Sequence, residues 1–338
     1  MNAPPPPPRR RATRGTEPLT PTPEQAEALA ALSHTFTTSD RAQLAMACGT
    51  GKTLVGRWHA QHTGCRTVLV IVPSLALIRQ TAREWARPGG WPHRALVVCS
   101  DPTTAAGTAE RADGGDDVRS WTRPGLSVTT DPRTAARFLA GTADGTRVVF
   151  STYHSAPVVS DAQKTSGTRF DLAVCDEAHR LAGRPREAFL LALDPRRVKA
   201  RRRLFMTGTR LCFEGAAQTS GTPAVKELAG RRLTMDDRTL FGPVAYVVTF
   251  AQAIAAGRLV DYRVLVVARR RRDITAAGLP AAALAQAATR HGVRRAISYH
   301  GRVASAERFA ELLDGRTAGG NRFSTRVIHG KVPAGERT

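Results

Sequence analysis

The feature that most constrains this chain is a glycine-rich loop between a short apolar segment and a helical one. Residues 43–46 predict a strand, the loop reads Cys-Gly-Thr-Gly, and a helix is expected from Lys52 to about Gln61. Glycines let backbone N–H groups turn inward around phosphate oxygens, which also face the positive end of the helix dipole. A chance glycine turn is disfavoured by this strand–loop–helix context. The predicted phosphate site consists of Gly49, Thr50, Gly51, Lys52 and Thr53.

Two side chains of this loop have specific chemistry. Lys52 is expected to reach the β- and γ-phosphates of a nucleotide, and the Thr53 hydroxyl is expected to hold Mg²⁺. The first position of the usual pattern is glycine or alanine, whereas this chain has Met46 there. The cofactors predicted from the loop are therefore a nucleotide with β- and γ-phosphates and Mg²⁺.

A second apolar strand, at residues 172–175, ends in two carboxylates. Asp176 is expected to hold Mg²⁺, and Glu177 to polarise the water that attacks the γ-phosphate. Ligands gather at the carboxyl ends of parallel strands, so these carboxylates and the glycine loop should converge. Adjacent acidic residues can also mark a solvated loop, but the apolar strand before them argues against that reading. Lys52, Asp176 and Glu177 are the predicted catalytic residues.

The order of segments predicts the fold class. Apolar runs alternate with helical patterns, which indicates a doubly wound α/β domain around a parallel sheet. A helix is expected near residues 24–32 and another at 75–85. Residues 127–130 and 133–139 could add one strand and one helix. The remaining strands are expected at 67–72, 95–99, 148–151 and 204–206.

The chain divides into four predicted parts. Residues 1–20 are a tail rich in Pro and Arg that cannot bury apolar surface and is expected to be disordered. Residues 21–212 form the first domain, residues 213–260 a linker and connecting segment, and residues 261–338 part of a second α/β domain. The elements expected in that last part are strands at 262–268, 296–299 and 326–328, and helices near 281–291 and 304–313.

Charge and composition narrow the classes of partner. The 50 basic and 28 acidic residues give a net charge of +22, which favours a polyanion such as nucleic acid. Only five of the basic residues are lysine, and such arginine-rich composition can also reflect a GC-rich genome. No apolar run is long enough to span a bilayer. The five widely spaced cysteines indicate reduced thiols and a cytoplasmic protein.

These motifs resemble those of superfamily 2 helicases, specifically the DEAD/DEAH-box group that includes the Res subunits of type III restriction enzymes. Residues 176–179 spell the DEAH box, and residues 48–53 match the group's first motif. Residues 23–25 resemble the P-x-Q element, whose glutamine, here Gln25, contacts adenine in relatives. The resemblance implies a RecA-like P-loop NTPase fold.

The remaining landmarks follow in the family's order. Residues 73–80 and 151–154 match segments that touch the nucleic-acid backbone in relatives. Residues 207–209 resemble the Thr-Ala-Thr motif that couples hydrolysis to strand movement, with Gly208 in place of alanine and Arg210 where proline is common. The resemblance implies nucleic-acid contacts by Pro73, Ser74, Gln80, Ser151 and Thr152. It also implies coupling roles for His179, Thr207 and Thr209.

Similarity extends into a second RecA-like domain. Residues 296–300 and 302–313 resemble its first strand and helix, and residues 328–330 with 336–337 match its H-G…E-R element. The glutamine and arginine fingers that close over the γ-phosphate should follow Thr338. The resemblance therefore predicts a truncated chain that binds ATP but hydrolyses it inefficiently alone.

The first functional hypothesis is an ATP-dependent helicase or translocase, with DNA favoured over RNA as its track. A second is a nucleic-acid-binding module that binds ATP without productive turnover and is completed by a partner chain supplying the arginine fingers. A third, a P-loop ATPase acting on protein or small molecules, fits the phosphate site but not the backbone-binding segments or the charge.

Overall fold

The computed structural model describes nine stretches of the chain, and the predicted tail lies almost wholly outside them, as do residues 263–268 and the sequence from His329 onward. The described residues fall into two compact units that meet in sequence between Val260 and Asp261. The described stretches are residues 19–87, 91–99, 126–141, 145–214, 218–221, 223–262, 278–293, 295–318 and 321–328.

The first unit is built on one sheet of eight strands, and every neighbouring pair of strands is parallel. The order across the sheet is β4-β3-β5-β2-β6-β7-β1-β8. The strands are β1 (Arg41–Met46), β2 (Thr67–Val72), β3 (His93–Val98), β4 (Leu126–Thr129), β5 (Thr146–Thr152), β6 (Phe170–Cys175), β7 (Ala200–Thr207) and β8 (Val244–Val248).

Helices cover both faces of this sheet. On one face lie α1 (Pro23–Thr38), α2 (Lys52–His62) and α3 (Leu75–Trp85); on the other lie α4 (Pro132–Ala140) and α5 (Ala156–Ser166). Alternate residues of each strand enter opposite cores: in β2, Val68 and Val70 pack with the first group, and Leu69 packs with the second. This arrangement confirms the predicted doubly wound α/β fold. Shorter helices are α6 (Glu187–Leu190), α7 (Val225–Leu228), α8 (Arg238–Phe241) and α9 (Phe250–Ala255).

Local capping explains where two of the helices begin. Ser74 precedes α3, and its hydroxyl accepts a hydrogen bond from the Leu77 N–H at 3.4 Å. Asp131 precedes α4, accepts from the N–H groups of Arg133 and Thr134, and is followed by Pro132, whose missing N–H costs nothing at that position. Each cap places the helix start next to the carboxyl end of the preceding strand.

The segment expected to be a linker, residues 213–260, contributes to the main sheet. Its strand β8 pairs in parallel with β1 and forms the sheet edge, and α9 follows directly. The loss of periodicity at 215–221 indicated a loop, but it carried no information on the strand further along. Pairing with β1, about 200 residues earlier in the chain, is a long-range contact that local pattern does not encode.

The second unit contains the two predicted helices, as α10 (Gly278–His291) and α11 (Val303–Leu313), with the short hairpin β9 (Thr317–Ala318) and β10 (Asn321–Arg322). The strands predicted at 296–299 and 326–328 are wrong, because both segments are irregular. The side chains of Ile297 and Tyr299 are 81% and 92% exposed, respectively. An apolar run becomes a strand only when neighbouring strands satisfy its backbone, and no described strand pairs with either segment.

Within the described residues, no helix combines the length and apolar character that crossing a membrane requires.

Candidate nucleotide-binding site

The glycine loop lies between β1 and α2, as the sequence predicted. Gly49 and Gly51 both adopt left-handed backbone conformations, with φ of +87° and +82°. A Cβ on Gly51 would lie 2.3 Å from Nε2 of Gln25, so both conformation and space require glycine there. No side chain caps the start of α2, whose positive dipole end adjoins the loop. This cradle suits the phosphates of a nucleotide.

Gln25 holds the glycine loop in place. Its Nε2 donates to the Thr50 carbonyl at 2.9 Å, and its Oε1 accepts from the Thr22 N–H at 2.9 Å. The side chain is only 6% exposed. The resemblance implied that Gln25 contacts adenine, and that contact stays a prediction. In the structure Gln25 ties α1 to the phosphate loop.

The predicted carboxylates meet the predicted lysine. Nζ of Lys52 lies 2.9 Å from Oε1 of Glu177 and 3.9 Å from Oδ1 of Asp176. Glu177 has a left-handed backbone, with φ of +50°, and its N–H donates to Oδ1 of Asp176 at 2.9 Å. The carboxyl ends of β1 and β6 therefore bring together Lys52 and Glu177, which are 125 positions apart in the chain.

Burial and charge shape this cluster. Burial raises the pKa of Asp176 to about 6, although Lys52 opposes the rise. Burial also lowers the pKa of Lys52, but attraction from Asp176 and Glu177 outweighs it, so the pKa ends above its ordinary value. Two carboxylates face one ammonium, so the cluster can balance the charge of a further cation. A threonine hydroxyl at Thr53 and a carboxylate at Asp176 are oxygen donors of the kind Mg²⁺ takes, so the residues fit Mg²⁺ and a nucleotide.

The three predicted coupling residues also lie together. Nδ1 of His179 is 3.1 Å from Oγ1 of Thr207 and 3.4 Å from Oε2 of Glu177. Thr207 in turn donates to the Thr209 carbonyl at 2.7 Å. Burial lowers the pKa of His179, which the Glu177 carboxylate partly offsets. A continuous chain of polar contacts thus joins the carboxylate after β6 to the end of β7, and the coupling role itself stays a prediction.

The two departures from the family pattern after β7 have structural counterparts. A Cβ on Gly208 would lie 2.9 Å from Sγ of Cys48, so the phosphate loop occupies the space that an alanine methyl would need. Arg210, where proline is common, makes an ion pair with Asp236 at 2.6 Å and donates to Oε1 of Gln43 at 3.2 Å. Gly208 thus lets the phosphate loop approach the end of β7, and Arg210 ties that end to β1 and to Asp236.

The predicted nucleic-acid contacts divide into accessible and buried residues. Ser74 and Gln80 are exposed, and Pro73 is half-buried. Ser151 and Thr152 are buried: the Ser151 hydroxyl donates to the Thr152 carbonyl, and Oγ1 of Thr152 bonds to Ser155. Pro73 and Ser74 line a cavity of 620 Å³ together with residues that follow β6 in the chain. Gln80, Ser151 and Thr152 do not line it. The nucleic-acid role of all five stays a prediction.

Sequence reasoning missed one wall of the nucleotide site. A cavity of 420 Å³ opens beside the glycine loop between α1, β8 and α9, and we call it the α1–β8 cavity. The Tyr246 hydroxyl on β8 donates to the Glu27 carboxylate on α1, and Arg258 lies 3.8 Å from Glu24. No motif marks Tyr246 and Arg258, because they belong to the segment that lacked a recognisable pattern, whereas Glu24 and Glu27 lie on the predicted helix α1.

Comparison with known proteins agrees with this geometry. The family model of the type III restriction enzyme res subunit matches residues 18–210. The protein named Probable helicase A859L, from two isolates of African swine fever virus, is 30% identical over 234 residues, which is 68% of this chain and 22% of the viral protein.

Two solved structures are similar to this chain. The ATP-dependent Type ISP restriction-modification enzyme LlaBIII bound to DNA has 28% identity and a TM-score of 0.59, over 78% of this chain and 17% of that one. A nuclease-deletion mutant of the Type ISP enzyme LlaGI in complex with a DNA substrate mimic has 27% identity and a TM-score of 0.51, over 69% and 20%. This chain thus spans about a fifth of each relative's length. The family match covers more than half of the sequence, and the chain therefore belongs to the type III restriction enzyme res-subunit family of superfamily 2 helicases.

Proposed function

We propose that this chain carries the ATP-binding part of a helicase or translocase that moves on DNA. The observation that carries the proposal is the convergence of Lys52 with Asp176 and Glu177 at the mouth of a glycine cradle. Each of these groups has a distinct role in phosphoryl transfer. The wider family supports the motor activity, and the Asp-Glu-Ala-His sequence supports placing the chain in the DEAH group.

The residues act in complementary ways on bound ATP. The backbone of Gly49, Thr50 and Gly51 would hold the phosphates, and Lys52 would exchange its bond to Glu177 for one to the nucleotide. That exchange frees the Glu177 carboxylate to orient the attacking water and accept its proton. Mg²⁺, held by Thr53 and Asp176, would neutralise charge on the phosphates.

DNA is the proposed track for two reasons. The net charge of +22 suits a polyanion, and both similar solved structures are described as complexes with DNA or a DNA mimic. Exposed Ser74 and Gln80 at α3 are the proposed backbone contacts. RNA is the alternative track that the assay below distinguishes. We also propose a cytoplasmic location.

The finer part of the proposal concerns turnover by this chain alone. The basic side chains that contact Asp176 and Glu177 among the described residues are Lys52 and His179, and neither is an arginine. An arginine finger from another domain or a partner chain contributes roughly 10³–10⁵-fold to turnover in related phosphoryl-transfer enzymes. We expect ATP binding without it and slow hydrolysis.

The second candidate function is a DNA-binding module that binds ATP without productive turnover. The Lys52–Glu177 contact of 2.9 Å favours it. While the two side chains bind each other, Lys52 does not bind phosphate and Glu177 does not activate water. Both carboxylates needed for hydrolysis are nevertheless in place, so we rank the motor first.

The test measures ATP hydrolysis and binding on the same preparation, with single-stranded DNA, duplex DNA and RNA as separate additions. The motor predicts Mg²⁺-dependent ATP binding and a turnover, however slow, that DNA stimulates more than RNA. Binding with no turnover under any addition would favour the second candidate. Absence of ATP binding would overturn both.

A further inference from the structure

A short loop directly after the catalytic carboxylates presents three arginines to solvent. We call residues 180–186, which precede α6, the post-carboxylate loop. Arg180, Arg184 and Arg186 are all exposed, and their guanidinium groups make no hydrogen bond or ion pair within the part of the chain that the structure describes. All three line the cavity of 620 Å³ that also contains Glu177 and His179. Charged groups without internal partners are free to bind a ligand.

The loop is held in a defined position. Gly183, at its centre, pairs with Leu233 through two backbone hydrogen bonds of 2.7 and 2.8 Å. Its φ of +75° lies in the left-handed region that favours glycine. Leu181 is fully buried in the core beneath the loop. These anchors at Leu181 and Gly183 hold the backbone between Arg180 and Arg184, which lowers the backbone entropy that the loop would lose on binding.

Aromatic side chains also border the cavity. Phe189 stacks on Tyr153 with 5.0 Å between ring centroids, and His154 packs edge-on against Phe189 at 4.8 Å. Pro73, Ser74 and Leu77 complete the lining on the side of α3. Among the described residues that line the cavity, the one carboxylate, Glu177, is paired with Lys52. The cavity therefore presents an excess of positive charge.

We propose that the post-carboxylate loop binds backbone phosphates of DNA and thereby senses, beside the catalytic carboxylate, whether the track is occupied. The inference rests on the proposed function and adds to it a set of contacts outside the segments that the resemblance assigned. Guanidinium groups match phosphate oxygens in geometry as well as charge, and several on one loop suit a polymer of phosphates. An acidic protein segment would match the charge but has no structural support here.

A short path connects this loop to the chemistry. The Arg180 N–H donates to the Glu177 carbonyl at 2.9 Å, so the loop begins inside the turn that holds Glu177. The next side chain back, His179, contacts both Glu177 and Thr207. A phosphate that draws Arg180 toward the cavity acts on the same turn. DNA binding at the loop can thus change how Glu177 is held by Lys52.

The test compares two double variants of equal charge change. Arg184→Ala with Arg186→Ala removes two loop guanidinium groups. Arg133→Ala with Arg137→Ala removes two exposed arginines from α4 and is the control. The probes are fluorescein-labelled DNA oligonucleotides, single-stranded and duplex, titrated between about 50 and 200 mM salt. Thermal unfolding of each variant confirms that it is folded.

The loop variant should bind DNA at least about tenfold more weakly than the native chain at low salt. Its slope of log affinity against log salt should become shallower by about 1.4 for single strands or about 1.8 for duplex. The concentration of DNA giving half-maximal stimulation of ATP turnover should rise by the same factor. The conservative pair Arg184→Lys with Arg186→Lys should recover the slope but only part of the affinity.

Four outcomes would overturn the inference, and they are distinguishable. Equal weakening in the loop and control variants would mean that net charge, not the loop, governs binding. Full competition by polyglutamate at matched charge would assign the loop to an acidic protein. Failure of the native chain to bind any oligonucleotide would overturn the proposed function and the inference with it. DNA binding that the loop variant retains at native strength would overturn the inference alone.

Discussion

The two sides of the nucleotide site differ in how the chain builds them. The phosphate side uses Lys52, Asp176 and Glu177, which stand at the ends of motifs on β1 and β6. The α1–β8 cavity uses Tyr246, which lies in the segment without a motif, and Glu27 of α1, which follows the P-x-Q element. Phosphate chemistry demands particular side chains at fixed places, whereas a cavity wall accepts many sequences. The comparison shows that a site can be strongly encoded on one side and barely encoded on the other.

The largest expected effect is on turnover at the phosphate side. Glu177→Gln keeps the size of the side chain but removes the proton acceptor, so ATP turnover should fall by about 10²–10⁴-fold. ATP affinity should stay within a few-fold of native, because glutamine can still occupy the site. Single-turnover hydrolysis and nucleotide titration measure the two quantities. Loss of binding together with turnover would show that Glu177 is structural.

Lys52→Ala should reduce ATP affinity by about a hundredfold or more, since a buried, charge-assisted contact to the phosphates is lost. Affinity for inorganic tripolyphosphate should fall equally, because Lys52 acts on phosphate and not on the base. Lys164→Ala is the control, since Lys164 is an exposed lysine paired with Asp161 on α5. Calorimetry with both ligands checks the prediction, and an unequal loss would contradict the division into two sides.

Gly51→Ala probes the joint between the two sides. The new Cβ would lie 2.3 Å from Gln25, so the Gln25 tether must shift along with the loop. Gly64→Ala is matched to it, because Gly64 has φ of +65° but nothing within 4 Å of its Cβ. Both variants bear the left-handed backbone strain of about 1–2 kcal/mol, but only Gly51→Ala should weaken ATP binding, by about tenfold. Equal ATP affinity in the two variants would show that the hydrogen bond from Gln25 to Thr50 does not support ATP binding.

The smallest effect is expected in the α1–β8 cavity. Tyr246→Phe removes the hydroxyl that binds Glu27 and braces β8 against α1. Loss of one exposed hydrogen bond should weaken ATP binding by about two- to fivefold. Tripolyphosphate affinity should not change, in contrast to Lys52→Ala. Tyr299→Phe, at a side chain that is 92% exposed, is the control. An equal effect on both ligands would show that Tyr246 serves the phosphates.

The elements that could be predicted are those whose buried apolar residues follow a regular pattern. Strand β2 and helix α3 have the bounds that their residues indicated, because a β-branched run and a capped helix carry local signals. The predicted strand at 296–299 has a similarly apolar sequence and is irregular. Apolar residues favour a strand, but only a neighbouring strand provides the hydrogen bonds that form one.

The predictable part of the site has the same limit. Lys52, Asp176 and Glu177 were expected to converge and do, because parallel strands bring their carboxyl ends to one edge. His179 and Thr207, predicted only as coupling residues, also meet there. The burial of Ser151 and Thr152 was not predicted, since a motif specifies residues but not which way the strand end turns them. The attachment of Gln25 to the phosphate loop was not predicted either.

The sequence by itself determined the phosphate loop, the two carboxylates and the doubly wound fold, because each depends on residue types at short spacing. Only the tertiary structure decided that β8 closes the sheet beside β1, that Gln25 ties α1 to Thr50, and that the three loop arginines share a cavity with Glu177. Those features join segments far apart in the chain. Their formation depends on which surfaces remain unpaired after the sheet has assembled, and local sequence does not contain that information.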